Sequence, residues 1–547
     1  MSEASKKQNF LHGAALLAIA TAVVKLIGAL YKLPLNAVIG AEGYAYFTTA
    51  YDIYAVLLMI STAGLPVAMS RMISQASALG HCNQVRQVYR TARRIFLGLG
   101  IVSTLLMLVG CHYLANILNQ PDAWAAIASL APCALLMGLI SAYRGFFQGQ
   151  GNMRPTSNSQ MMEAVVKLVI GLGAAFAIMY FTKSVALAAG GAILGVTVSC
   201  IVSALYLRGN FAPAYRDLPQ TTEEVRSFGS TAKSLLAIAV PITLGSAGLQ
   251  LLTVVESGLY MDRLVYLIGS NQYMGHMVTG EVDAQKAATI LKGIYNMAQT
   301  IFNMPCAFII PITVSVLPAV TANLTLGKDR EVRQTEESAA RITGLLSLPC
   351  TVGLFVLGQP VMALLGGYTG SDLVLGGQLL ALLGISIFMY AIIQYTNALL
   401  QSHGYAHVPV INMLLCGIIK LALVYILVGN PAIGILGAPI GALLGYSGIA
   451  VLNLFAIRRL VPQKPALLKN LLRPVLPAVL MGGAVYGTSL LLMKLLGEDA
   501  SSLILCGGPI IVGVVVYFVG VVLFKSIKKE DCQLLPKGDR IAKILHL

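Results

Sequence analysis

The sequence predicts an all-α, polytopic membrane protein of 14 transmembrane helices, arranged as two six-helix lobes related by a pseudo-twofold axis along the membrane normal, with two further C-terminal helices. Three observations predict it. Of 547 residues, 57% are apolar and only 11% charged, with a mean hydropathy of +0.79, against about 25% charged in soluble domains. Apolar runs of about 20 residues, enough to cross a bilayer core about 30 Å thick, recur along the chain without the period-two alternation of barrel strands. A polar turn also comes back: QGQGNMRPTSN from Gln148 reappears as QSHGYAHVPVIN from Gln401. Gln148 pairs with Gln401 and Gly151 with Gly404 at one offset, Pro155 and Asn158 pair with Pro409 and Asn412 one residue later, and Lys167 and Lys420 return to the first offset.

The first span begins near Leu11, behind Lys6 and Lys7. Its apolar run continues past Lys25 without a small-residue cleavage site, so a retained helix is expected instead of a signal peptide. The second begins near Tyr44. Ile95 opens the third, behind Arg86, Arg90, Arg93 and Arg94, and Ala123 opens the fourth, which runs into the turn at Gln148. The fifth starts near Gln160 and the sixth near Ser184, with Gly191-Ala-Ile-Leu-Gly195 inside it. A polar stretch from about Arg208 to Lys233 precedes the seventh, near Leu235, and one from about Asp262 to Leu291 precedes the eighth, near Ile294. KDREVRQTEESAAR, expected as a solvated loop or surface helix, leads to the ninth near Ile342, and the tenth runs from near Leu373 to the second turn. Pro409 opens the eleventh. Ile433 opens the twelfth, whose Gly437-Ala-Pro-Ile-Gly441 matches the motif of the sixth, and Leu471 and Leu503 open the last two. The expected boundaries are residues 1–233 for the first lobe, 234–460 for the second, and 461–547 for the final pair with its basic tail.

An even number of spans returns both termini to one side. Most of the 37 Lys and Arg lie on that side, including Arg458, Arg459, Lys525, Lys528 and Lys529, so both termini are expected in the cytoplasm of a cell-membrane protein. The net charge of +15 follows from this bias and suits anionic inner-leaflet lipids; no nucleic-acid partner is expected. The nine cysteines are scattered, with no CxxC pair and no His/Cys cluster, so neither a disulfide frame nor a metal site is expected. No GxxxxGK[ST] pattern appears, which argues against direct ATP hydrolysis. No cofactor is expected, and coupling is left to H+, Na+ or the membrane potential.

Ionisable residues inside spans are costly and mark function by default. Lys25 and Lys32 lie two turns apart on the first helix, Asp52 lies in the second span, and Glu256 in the seventh, in VVESGLYMDR. Lys25 has Asp52 as a candidate partner, and Asp262, Arg263 and Lys32 can snorkel to the interface. Glu163 and Lys167, four residues apart on the fifth span, are expected to neutralise each other. Lys420 has no acid within four residues of its own helix. The remainder suggests a water-filled cavity between the halves, at least as cationic as anionic, suited to a phosphorylated headgroup that lysines hold as point charges. The repeated turn reads first as a helix connection, with its polar residues, Gln148 and Gln401 among them, as candidates for guiding a headgroup.

The stretches GAEGYAYFTTAYDIY, PITLGSAGLQLLTVVESGLYMDRL, LKGIYNMAQTIFNMPCAFIIPITVSVLPAVTA and NALLQSHGYAHVPVINMLLCGIIKLALVYILVGNPAIGILGAPIGALLGY resemble, in order and spacing, the multidrug/oligosaccharidyl-lipid/polysaccharide (MOP) exporter superfamily in its mouse-virulence-factor branch, and within it lipid II flippases of the stage V sporulation protein B type. The resemblance implies 14 helices in six plus six plus two. It implies an undecaprenyl-pyrophosphate-linked oligosaccharide as substrate, lipid II foremost, moved outward by alternating access for peptidoglycan synthesis, with cell-wall synthesis enzymes as possible partners. It also implies cavity cations: the family's first cationic position on helix one matches Lys25, and the second matches Tyr31, beside Lys32. The one at the start of helix eight matches Asn296, with Lys292 one turn earlier. The substrate-binding set expected is thus Lys25, Lys32, Asp52, Glu256, Lys292 and Lys420.

A drug or cation antiporter of the same superfamily would share the helices but concentrate acids, which Asp52 and Glu256 alone represent against Lys25 and Lys32. An enzyme would need catalytic acids on sizeable loops, and only Glu281-Val-Asp283 offers an E-x-D. A scaffold in cell-wall synthesis without transport would show degenerate cavity charges, several of which are intact.

Overall fold

The computed structural model describes residues 3–59, 64–273, 283–325, 327–497, 501–528 and 531. Among the described residues every regular element is helical and no strand occurs. The helices are α1 (Glu3–Met59), α2 (Leu65–Ala78), α3 (Cys82–Ile117), α4 (Trp124–Gly149), α5 (Arg154–Thr182), α6 (Val185–Arg216), α7 (Phe228–Gly269), α8 (Ala284–Thr325), α9 (Asp329–Val356), the short α10 (Gly358–Val361), α11 (Gly370–Ser402), α12 (His407–Val428), α13 (Gly437–Leu460), the short α14 (Leu467–Leu471), α15 (Val475–Leu496) and α16 (Ser502–Leu523).

Ten described helices are long and apolar enough to cross a membrane, and they coincide with spans three to six and nine to fourteen. The other four spans lie in α1, α7 and α8. The described helices thus account for the 14 expected spans. Hydropathy predicts the first two spans as separate helices, and α1 is two helices that meet at a kink at Gly40. Its φ of 68° and ψ of 179° lie in a region that only glycine occupies freely. The break between the two spans is thus a backbone kink in place of a loop. Several helices also begin well before their apolar stretch. Arg86, Arg90, Arg93 and Arg94, read as loop residues, lie on the helical extension of α3. Hydropathy locates the apolar part of a helix, and helix formers carry it beyond the bilayer.

The chain divides into two compact units, Met1–Asp262 and Arg263–Leu547. In the first, α5 packs on α6, and a Cβ added at Gly195 would collide with the backbone of Gly171. In the second, α12 packs on α13, with Gly441 against Val424 and Gly437 against the backbone of Leu427. The matching GxxxG stripes therefore do the same work in each unit, letting two helices approach closely.

The polar stretch between α6 and α7 is not loose. Backbone N–H groups of Asn83 and Gln84, at the start of α3, donate to Glu223 Oε1 at 2.8 and 3.1 Å, and Arg226 N–H donates to Gln84 Oε1 at 3.0 Å. Glu223 thereby caps a helix N-terminus that its own flanking residue, His81, leaves without a side-chain cap. Donation from the Thr221 hydroxyl, and then from the backbone N–H groups of Glu223 itself, Gln84 and Asn83, holds the Glu223 carboxyl below its ordinary range. The folded form thus binds its proton less readily than the unfolded one, and the stabilisation is present above the ordinary carboxylate pKa and lost as pH falls through the lowered value. Limited proteolysis between Asp217 and Ser227 should accelerate as pH is lowered through that range in the wild type, and should be fast and pH-independent in Glu223→Gln.

KDREVRQTEESAAR forms the first turns of α9, and only part of it is solvated. Glu336 and Arg341 are 0% and 2% exposed. His403 Nε2 lies 2.7 Å from Glu336 Oε1, and the Tyr395 hydroxyl donates to the Glu336 carbonyl at 2.7 Å. Arg341 reaches Asp531 through Nε and Nη2 at 2.7 to 3.0 Å, and also Asn470 and Ser338. The expectation of a solvated stretch fails there because its acid and base side chains find partners on three other segments.

Candidate functional site

The helix beyond the Gly40 kink places Tyr44, Phe47, Tyr51 and Tyr54 at spacings of three and four, hence on one face. Their rings follow one another at centroid distances of 6.1, 5.6 and 5.3 Å. Tyr31, before the kink, closes edge-on against Phe47 at 5.8 Å, and its hydroxyl donates to the Ala192 carbonyl at 3.1 Å. Gly171 is required there, since a Cβ would stand 2.6 Å from that hydroxyl oxygen.

Two lysines converge on this aromatic face. Lys32 Nζ lies 5.0 Å from the Tyr51 ring centroid, and Lys167 Nζ lies 5.6 Å from it and 6.0 Å from that of Tyr31. Each falls within the range of cation–π attraction. Lys167 also donates to the Tyr51 hydroxyl at 3.4 Å. Both lysine side chains are partly exposed, and among the described residues neither forms an ion pair. Asp52, next to Tyr51, is close enough to attract Lys32.

The expected Glu163–Lys167 pair does not form. Arg144 on α4 takes Glu163 instead, through Nη2 to Oε2 at 3.0 Å, and the Tyr54 hydroxyl donates to Oε1 at 3.4 Å. Arg144 donates further to Ser159 and Ser203, at 3.0 and 3.4 Å. In this structure the carboxylate rests on a guanidinium fork, buried with the serines around it, and not on the flexible ammonium. Lys167 is therefore released toward Tyr51, and it is the residue that the expected set omitted.

The other expected residues are distributed between the two units. The side chain of Lys25 lies outside the described residues, as do Glu281 and Lys529. Glu256 is buried on α7, and both it and Asp52 lie within electrostatic reach of Tyr260; neither is without a partner. In the second unit, Lys292 is fully buried on α8, on a polar stripe with Thr289, Asn296 and Thr300 at helical spacing. Lys420 lays its stem over Gly445, which has no side chain to obstruct it, and its Nζ lies 5.7 Å from the Tyr446 ring centroid. The two lysines of the repeat thus each rest on tyrosine. Among the described residues no group of His, Cys, Asp or Glu is arranged to hold a metal ion.

The repeated turn is the same structure twice. Gly151 N–H donates to the Gln148 carbonyl at 3.0 Å and Asn152 N–H to Phe147 at 2.9 Å; Gly404 N–H donates to Gln401 at 3.1 Å and Tyr405 N–H to Leu400 at 2.9 Å. The glycines have φ of 77° and 84°, the left-handed cap that ends a helix without Cβ strain. Gly151→Ala and Gly404→Ala meet no neighbouring atom, so each is expected to cost about 1–2 kcal/mol of backbone strain alone, read as a lower unfolding midpoint in detergent with unchanged helix content.

The lysine at 167 was visible in the sequence, and the rings at 44, 47, 51 and 54 carried a helical spacing that could have been read as one face. Arg144 carried no such signal, because its partner lies on another helix.

Comparison with known proteins bears on this geometry. Residues 10–323 match the family model described as polysaccharide biosynthesis protein, and residues 269–505 match that described as lipid II flippase MurJ. Stage V sporulation protein B of Bacillus subtilis (strain 168) is 23% identical over 533 residues, covering 97% of this chain and 98% of that protein. Lipid II flippase MurJ of the same organism is 23% identical over 469 residues, covering 82% and 83%. Among solved structures, lipid II flippase MurJ in an inward closed conformation has a TM-score of 0.67 at 15% identity, over 93% of this chain and 98% of that one. An inward-facing multidrug-resistance MATE transporter of the MOP superfamily has 0.61 at 17%, over 81% and 99%. At these identities the structural likenesses speak for the fold alone.

Proposed function

The chain belongs to the polysaccharide biosynthesis protein family, and from that premise we propose that it is a flippase that carries lipid II, the undecaprenyl-pyrophosphate-linked peptidoglycan precursor, from the inner to the outer leaflet by alternating access. The coarser statement, a multi-pass transporter of the MOP superfamily akin to lipid-linked oligosaccharide flippases, rests on the family matches and on relatives spanning nearly the whole chain. The observation that supports the finer one is the pair of lysine ammoniums on Tyr51. Two cations on an aromatic surface, with no ion pair among the described residues, suit a pyrophosphate: lysine offers a compact charge that follows a moving phosphate without fixed geometry.

Two six-helix halves and cytoplasmic termini complete the reading, with Lys32 and Lys167 as the headgroup cations of the first unit and Lys25, Lys292 and Lys420 as further candidates for contact with the substrate along its path. An inside-negative potential assists outward movement of an anion by about 2.3 kcal/mol per charge per 100 mV, and Asp52 or Glu256 is the candidate for an ion or proton that resets the carrier. Translocation of fluorescent lipid II in proteoliposomes tests the proposal. Wild-type movement that other lipid-linked sugars do not match supports it, and movement of another lipid-linked sugar in its place overturns the choice of lipid II.

A further inference from the structure

Glu163 offers more than a structural charge, and the role assigned to it here rests on the headgroup reading. Residues four apart on a helix bring their Cβ atoms to about 5–6 Å, so Glu163 is within reach of Lys167. It instead contacts Arg144 at 3.0 Å and receives the Tyr54 hydroxyl at 3.4 Å. The cluster holds three described cations, Lys32, Lys167 and Arg144, against two carboxylates, Asp52 and Glu163. With Oε2 on Arg144 and Oε1 on the Tyr54 hydroxyl, a shift of Glu163 toward Lys167 would weaken these contacts.

Both alternatives are supported by neutral groups. Arg144 has the hydroxyls of Ser159 and Ser203 to donate to, and Lys167 has that of Tyr51. We propose that Glu163 is the site's own counter-anion, exchanging between Arg144 and Lys167 and competing there with the diphosphate of a lipid-linked substrate. A diphosphate on Lys32 and Lys167 repels Glu163 toward Arg144. On its departure Lys167 attracts Glu163, which offsets the exposed charge and opposes rebinding. Coupling of this kind is reciprocal, so the affinity that Glu163 removes from the ligand is the same free energy that favours release.

Binding of inorganic diphosphate, and separately of a short-chain polyprenyl diphosphate, to the purified full chain tests this by isothermal titration. Glu163→Gln keeps its amide oxygen as the acceptor for Arg144 and can donate its NH2 to the Tyr54 oxygen, but it removes the charged competitor, so affinity is expected to rise about tenfold. Arg144→Gln leaves Glu163 with the Tyr54 hydroxyl and with Lys167 as the cation within reach, so affinity is expected to fall by a similar factor, and the double variant is expected to bind as tightly as Glu163→Gln. A purely structural role would weaken binding in both single variants, and that result, or an unchanged affinity in folded Glu163→Gln, overturns the proposal. If Arg144→Gln does not fold, Arg144→Lys keeps one donor and should show a smaller loss. Wild-type binding that Lys167→Ala removes but Glu163→Gln leaves unchanged defeats this inference and spares the headgroup reading. Wild type that binds neither probe defeats both.

Discussion

Lys32→Ala and Lys167→Ala are each expected to lower lipid II translocation about 10- to 100-fold, and the double variant to bring it to background. A charge-assisted contact to phosphate contributes about 1.5–3 kcal/mol, and about 1.4 kcal/mol is a factor of ten. The fold should survive, because among the described residues neither lysine forms an ion pair and both are partly exposed. Removing them leaves no carboxylate stranded in the way that removing Arg144 would strand Glu163. Tyr51→Phe separates the ring from the hydroxyl: it keeps the face under both ammoniums and loses only the 3.4 Å hydrogen bond, so it should be the mildest of the set. Translocation is measured in proteoliposomes at matched, verified protein incorporation. Wild-type rates in the folded double variant would remove the lysine pair from the mechanism.

Asp531→Ala is expected to destabilise the second unit by about 3–5 kcal/mol, since it removes one partner of a buried ion pair. Arg341 is 2% exposed and Asp531 0%, and the carboxylate receives Nε, Nη2 and the Lys528 backbone N–H. Ending the chain at Lys528 should cost about as much. Asn470→Ala, which removes one neutral acceptor at 2.9 Å, should cost only about 1–3 kcal/mol. Replacing both partners with apolar residues, as in Arg341→Met with Asp531→Leu, should recover most of the loss, because desolvation of the pair offsets much of its attraction. Thermal unfolding in detergent reads all four. An unchanged midpoint in Asp531→Ala would mean that the carboxylate adds nothing to holding the tail.

The helices and their repetition were legible because a bilayer admits few solutions. A span must be about 20 apolar residues of helix, so hydropathy alone located the spans that coincide with α3 to α6, α9, α11 to α13, α15 and α16. The recurrence of Gly151 and Gly404 was legible too, since only glycine enters a left-handed cap without strain. The form of the break at Gly40 was not, because Asn36, Glu42 and Gly43 mark a boundary between spans without deciding whether a loop or a backbone kink makes it. The identity of the pairs was the least legible. Glu163 and Lys167 share a helix face, and local spacing favours their pairing; whether they pair depends on Arg144, which lies 19 residues earlier in the chain and on another helix.

What the sequence determined by itself was therefore the class of molecule: an all-helical, two-part membrane protein with a few charges placed where charges are expensive. Solvation by lipid acts on each segment separately, so segment composition suffices to predict it. What only the tertiary structure decided was the partner of each charge: Arg144 with Glu163, Lys32 and Lys167 with Tyr51, Glu336 with His403, Arg341 with Asp531. Those choices turn on which groups a three-dimensional packing brings within about 3–6 Å, and such distances are set by helices far apart in the chain.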